Sequence, residues 1–197
     1  MARAAAGVPA IVDAPSGKGN PSRDGRIENA ARARVLDMAD GELVVTTAAD
    51  ADVAGVIALI GRVFAEYGFV YDPAVDVPDL LRFPAHYEAP RGAFFVVRQG
   101  GGVVGSVGVE RLDADTAELH RLYLGAELRG RGIGRALVEV VLDWCRVRKI
   151  PRLVLWSDTR FEQAHRLYSR MGFIQTGARD LPLDVNGTRE YGFERIV

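Results

Sequence analysis

Residues 128–137 read LRGRGIGRAL, from Leu128 to Leu137, and hold Gly130, Gly132 and Gly134 among Arg129, Arg131 and Arg135. A strand-like run, TAELHRLYL (116–124), comes before it. An apolar helical pattern follows, with Leu137, Val140, Val141, Trp144, Cys145 and Val147 at the spacing of one buried face. Glycines allow close backbone approach, and the first turn of a helix carries N–H groups without intrahelical partners. Such a turn can seat an anion at the positive end of the helix. The alternative is a plain helix start flanked by solvated arginines. Two nucleotide-binding loops are excluded by spelling. A P-loop needs Gly-Lys-Ser/Thr, but Gly134 is followed by Arg135 and Ala136; G-x-G-x-x-G needs glycine where Arg135 or Leu137 stands.

On the N-terminal side, ELVVTTA (42–48) reads as a strand and VAGVIALIGRVFAEY (53–67) as a helix that Asp50 or Asp52 would cap. VPDLLRFPAHYE (77–88) suggests a short helix broken near Pro84. AFFVVRQ (93–99) and GVVGSVGVERL (102–112) are strands joined by a hairpin at Gly100–Gly102. On the C-terminal side, RLVLWS (152–157) is a strand, FEQAHRLYSRM (161–171) a helix, FIQTGA (173–178) a strand and REYGFERIV (189–197) a final strand. Thr159 and Glu162 spell a capping box for that helix. A meander followed by alternating strands and helices implies a mixed sheet with helices on its faces. Residues 1–40 are rich in Pro, Gly and Ser, and only RIENAARARVLDM (26–38) has helical spacing. They are expected to form a flexible or loosely packed arm before a domain over 41–197.

The chain carries 25 basic and 26 acidic side chains for a net charge of -1, which gives no long-range attraction to nucleic acid or an anionic membrane. Its 48% hydrophobic content supports a sizeable core. Cys145 has no partner for an internal disulfide and sits in a helical run as a small hydrophobe. No stretch approaches the ~20 apolar residues that span a bilayer. Pro9 and Asp13 interrupt the opening apolar run, so a cytoplasmic protein is expected rather than a secreted one. No metal is expected, and the sequence leaves a homodimer open.

The motif R-x-x-G-x-G (Arg129, Gly132, Gly134), the strand ELHRLYL before it and AHRLYSRMGF (164–173), which matches A-x-x-L-Y-x-x-x-G-F, follow one another in order. In these features the chain from about Glu42 onward resembles the GNAT family of acetyl-CoA-dependent N-acetyltransferases. The resemblance implies an α/β fold with a mixed, mostly antiparallel, splayed β-sheet and helices on both faces. It also implies acetyl-CoA as acyl donor. The backbone of Arg129, Gly130, Arg131, Gly132, Ile133, Gly134 and Arg135 would hold the pyrophosphate, and Leu122, Tyr123 and Leu124 would pair with the pantetheine arm. Phe161 departs from the family, which commonly has Asn there facing the cofactor; Asp158 or Thr159 is the candidate replacement.

Acetyl transfer to an amine needs a proton acceptor, donors for an oxyanion and a proton for the thiolate. Strict alternation would put Glu118, His120, Leu122 and Leu124 on one face of the strand and Leu119, Arg121 and Tyr123 on the other. Glu118 is the candidate base, matching the base position of the family's histone-modifying branch; the alternative is an ion pair with an arginine, and His120 is the reserve. Tyr168, the tyrosine of the L-Y-x-x-x-G-F motif, is the candidate acid. Glu66, Asp72, Asp76 and Asp79 among Tyr67, Phe69 and Tyr71 suggest an acceptor site for a cationic amine with an apolar body. The implied function is acetyl transfer to a primary amine of a small or amino-acid-like molecule by direct attack in a ternary complex. Protein N-terminal or lysine acetylation, and a non-catalytic acetyl-CoA sensor, are the alternatives.

Overall fold

The computed structural model describes residues 34–38 and 41–197. Its strands are β1 (Arg34–Met38), β2 (Gly41–Thr47), β3 (Gly92–Gln99), β4 (Gly102–Arg111), β5 (Thr116–Leu124), β6 (Arg152–Asp158), β7 (Ile174–Asp180) and β8 (Arg189–Ile196). Its helices are α1 (Val53–Glu66), α2 (Pro73–Asp76), α3 (Phe83–Tyr87), α4 (Ile133–Val147) and α5 (Glu162–Arg170). The strands form one eight-stranded sheet in the order β1-β2-β3-β4-β5-β6-β8-β7. Every pair is antiparallel except β5 with β6. This is the expected mixed, mostly antiparallel sheet.

Central strands are buried on both faces and read as continuous apolar runs. Phe94 to Val97 is such a run, and its alternate side chains feed two cores: Phe95 and Val97 join α4 and Tyr168 on one face, while Phe94 and Val96 join α1, α3 and Leu80 on the other. Helices therefore cover both faces. Cys145 lies in the first core, its thiol pushed up to about 12 by burial. A thiol with so little thiolate is inert.

Two irregularities shape the site. First, β5 pairs with β6 only at Thr116, Ala117 and Glu118, opposite Arg152, Leu153 and Val154. Beyond Glu118 the two strands separate, the splay that the family resemblance implied, and one edge of β5 from His120 to Leu124 has no strand partner among the described residues. Second, the register against β4 jumps from Gly108↔His120 to Ser106↔Tyr123, so Arg121 and Leu122 together oppose Val107. Arg121 takes φ 54 in this bulge. A bulge shifts the alternation by one residue. Ala117, Leu119, Leu122 and Leu124 pack on the α4 core, whereas Tyr123 packs on the α1 core and Arg121 pairs with Asp79 on that side. The expectation that Glu118 and His120 share a face with Leu122 and Leu124 is thus overturned.

Local capping also differs from expectation. Arg34–Met38, within the stretch read as a helix, is an edge strand paired to β2, because the outer edge of β2 offers backbone groups that pairing satisfies. The rest of the expected arm lies outside the described residues. Asp52 does not cap α1; its carboxylate accepts the N–H of Ala49 (2.8 Å) and pairs with Arg98 (2.7 Å). The Thr159 capping box is absent, since α5 begins at Glu162 behind Phe161 without a side-chain cap, and Asp158 accepts the N–H of Arg160 instead (2.8 Å). Pro84 opens α3 rather than breaking a helix, as its missing N–H costs nothing in a first turn.

Candidate active site

The gap between β5 and β6 opens into a cleft of about 1040 Å³, floored by the free part of β5 and walled by α1, the start of α4 and α5. Glu118, Tyr168, Leu122, Tyr123, Leu124, Arg129, Gly130, Gly132, Gly134 and Arg135 all line it. Of the remaining expected binding residues, Ile133 is buried in the core and Arg131 stands outside the lining.

The start of α4 is built for close approach. Gly130 and Gly132 have φ 73 and 82, left-handed values that favour glycine, and Gly132 caps the helix with no side chain bonded to the first-turn N–H groups. Gly134 is small for a different reason: a Cβ there would sit 3.3 Å from Leu167 and 3.5 Å from Leu124. The arginines of the turn do not converge on one point. Arg129 donates to the Leu124 carbonyl through Nε (3.1 Å) and Nη2 (2.9 Å) and to Glu66 through Nη1 (2.6 Å), while Arg135 pairs with Glu139 (2.9 Å). The site's cationic character therefore comes chiefly from the helix end and its N–H groups.

Glu118 stands where the strands part. Burial pushes its carboxyl up from 4.5 to about 7, with Arg179 opposing and Glu110 and Glu190 adding to the rise. No arginine lies within ion-pairing distance of it among the described residues, so the ion-pair alternative finds no partner. Its carboxylate lies beside His120, whose Nε2 is 3.7 Å from Glu118 Oε2 and 4.0 Å from Glu110 Oε2. Burial, reinforced by Arg121, drives the His120 imidazole down to about 4. A neutral His120 beside a carboxyl near 7 leaves Glu118 as the group that exchanges protons at neutral pH.

Tyr168, 4% exposed, packs against Phe173 and Phe193 and lines the far wall. Burial, with Tyr123 nearby, raises its phenol well above 10. Asp79 is not a substrate contact as expected: it accepts from Tyr87 and from both Nε (3.1 Å) and Nη2 of Arg121. Burial alone would raise the Asp79 carboxyl, but the Arg121 guanidinium overrides it and holds it at about 2. Glu66 and Asp72 are likewise committed, to Arg129 and to the N–H of Ala74. Of the expected acidic set only Asp76 lines the cleft, its carboxyl raised by burial. Phe161 occupies the place expected of asparagine and packs on Tyr67 (4.9 Å between centroids), while Asp158 is held by Arg160.

Sequence reading gave Asp79 a substrate role where it pairs with Arg121, and it missed the influence of Arg121 and Glu110 on Glu118 as well as Asn186, which lines the cleft. Only Asn186 carried a usable signal, since Asn186-Gly187 is a hairpin-turn dipeptide.

The acetyltransferase (GNAT) family profile matches residues 60–173. The chain is 31% identical over 120 residues to YjgM, an uncharacterized N-acetyltransferase of Escherichia coli (strain K12), a match spanning 58% of this chain and 72% of that protein. It is 35% identical over 104 residues to human N-acetylaspartate synthetase, spanning 52% of this chain and 34% of that one. Among solved structures, a GNAT-family acetyltransferase from Staphylococcus aureus Mu50 superposes with a TM-score of 0.69 at 23% identity, over 78% of this chain and 98% of that one, a likeness of fold. Among the described residues no helix is long and apolar enough to cross a membrane.

Proposed function

The chain belongs to the GNAT acetyltransferase family, and from that premise we propose that it transfers an acetyl group from acetyl-CoA to the primary amine of a small, amino-acid-like molecule, by direct attack in a ternary complex. One observation carries the reading: a carboxyl near neutrality, a buried phenol and an uncapped, glycine-led helix start share one cleft. The first-turn N–H groups of α4 and the left-handed glycines before it suit a pyrophosphate. The unpartnered edge of β5 at Leu122 to Leu124 suits an arm that carries amide groups. When bound, the thioester supplies the acetyl group.

Glu118 accepts the proton of the incoming ammonium, directly or through one water. An amine of pKa about 10 is almost wholly protonated at pH 7, so an acceptor near neutrality is required before or during attack. Tyr168 stays protonated over the whole working range. A phenol raised above its usual value is a weaker acid than a thiol of about 8.5, so Tyr168 keeps its proton and steadies the departing sulfur by a hydrogen bond, while the second proton that the amine loses on becoming an amide neutralises the thiolate. The amino-acid-like acceptor is supported by the human relative, which is named for making an N-acetylated amino acid.

The test is a panel of free amino acids, other small amines and peptides incubated with acetyl-CoA, following thiol release and the mass of the product. Acetylated amino acid or small amine is the expected result. Tight binding of acetyl-CoA with transfer to no amine would make the chain a sensor, and transfer to peptides alone would make it a protein acetyltransferase.

A further inference from the structure

Three loops meet at the part of the cleft wall that carries Phe69, Phe161 and Asn186, joined by side chains that neither core nor the proposed chemistry uses. Asn186, in the turn between β7 and β8, accepts the N–H of Val70 through Oδ1 (2.8 Å) and donates through Nδ2 to the Val70 carbonyl (2.9 Å). Val70 lies in the loop between α1 and α2, so this bond pair links segments 116 positions apart. The Asn186 turn is itself fixed, because Asp184 accepts the N–H groups of Asn186 (3.1 Å) and Thr188 (3.0 Å). Arg160, in the turn between β6 and α5, supplies the third tie. It grips Asp158 through Nε (2.9 Å) and Nη2 (2.6 Å), donates through Nη1 to the Asn186 carbonyl (3.1 Å), and lies 4.0 Å over the Phe69 ring.

We infer that this clasp roofs the acceptor end and selects an amine on a compact molecule over the same amine at the head of a polypeptide. The inference rests on the acetyltransferase reading and narrows its acceptor. Tyr67, Phe69, Phe161 and Asn186 all line the cleft, so the tied loops are part of its wall and not a remote surface. An extended peptide commonly binds by pairing its backbone with free N–H and C=O groups along its path. Val70 has both groups consumed by Asn186. The rings of Tyr67 and Phe161, 4.9 Å apart between centroids, pack together in the same stretch of wall. On this inference a second residue attached to the acceptor has to pass the tied loops, where Val70 offers it no free backbone group to pair with. A free amino acid has nothing to lead out.

The experiment compares kcat/KM for the best free amino acid of the panel with that for a hexapeptide beginning with the same residue, in the full chain and in Asn186→Ala. Hydrogen exchange at the Val70 amide reports the clasp without reference to activity. The free amino acid is expected to lead by roughly 10²-fold, and Asn186→Ala to narrow that ratio by about 10-fold through loss of two hydrogen bonds, with faster exchange at Val70. General destabilisation lowers both rates together and leaves the ratio unmoved. Equal rates on the two acceptors in the full chain, an unchanged ratio in Asn186→Ala, or an unprotected Val70 amide would each overturn the clasp. Transfer to no acceptor at all would overturn the acetyltransferase reading and this inference with it, a result that equal rates cannot imitate.

Discussion

Glu118 titrates near 7 because it is buried at the point where β5 leaves β6, and that position has consequences for both rate and stability. If it is the base, kcat/KM rises with pH on a limb centred near 7. Glu118→Gln removes the acceptor and should lower kcat/KM by roughly 10²-fold to 10⁴-fold at neutral pH. Raising the pH recovers part of the loss, since more amine arrives deprotonated. The stability effect has a definite sign. A carboxyl raised from 4.5 to about 7 on folding contributes its stability below about 4.5 and loses it as pH rises through about 7. At about 1.4 kcal/mol for each tenfold change in proton affinity, ionising it in place costs roughly 3 kcal/mol. Glu118→Gln should therefore melt higher than the parent at pH 8, whereas a structural ion pair requires the variant to melt lower. Melting curves beside the pH–rate profile separate the two. Tyr168→Phe keeps the ring packed between Phe173 and Phe193 and removes only the hydroxyl. It should lower kcat by about 10²-fold with little change in acetyl-CoA affinity. Parental turnover in that variant would reduce Tyr168 to a packing residue.

At the scale of the element, β5 joins the chemistry to the fold, and its bulge is held from outside the strand. The Arg121 guanidinium lies against Asp79 and is kept charged by it. Asp79→Asn would leave a largely buried cation without its counter-charge, at a cost of about 3–5 kcal/mol. The pair also sets an acid limit, because a carboxyl at about 2 contributes stability above its usual 3.8 and loses it as pH falls through about 2. Urea unfolding at pH 7 and pH 2 should show the variant and parent converging at the lower pH; a gap that persists there would assign the loss to packing instead. Elements whose signal lies within a contiguous run were legible in the sequence: the glycine turn, α4, the hairpin at Gly100–Gly102 and the run of β5. The bulge was not, because strict alternation is the only pattern one strand shows by itself and the extra residue is defined by its partner β4. The Asp79–Arg121 pair, 42 residues apart, likewise has no local signature. The acidic stretch 66–79 looked like a site for a cation because sequence displays charge and hides the arginines that neutralise it.

Across the described residues, three registered pairs are the only ladder between the β1–β5 and the β6–β8–β7 parts of the sheet, and α4 packs beneath the join against β4, β5 and β6. A ligand seated on the start of α4 and along the free edge of β5 would touch both parts and span the gap between them. Ligand that binds only the folded chain stabilises it by about 2.7 kcal/mol at one hundred times its Kd. For a domain of this size that corresponds to a rise in melting temperature of roughly 5–10 °C. Acetyl-CoA at such an excess should produce this rise in the parent protein. Gly132→Val tests its origin, because a β-branched residue is strained at φ 82 and its side chain would project where backbone approach is needed. The variant, folded but with a lower starting melting temperature, should show little further rise with acetyl-CoA, and calorimetry should show affinity reduced by about 10²-fold. Equal thermal shifts in the two proteins, with equal affinities, would move the pyrophosphate off the α4 turn and return Arg129 to Arg135 to a plain helix start.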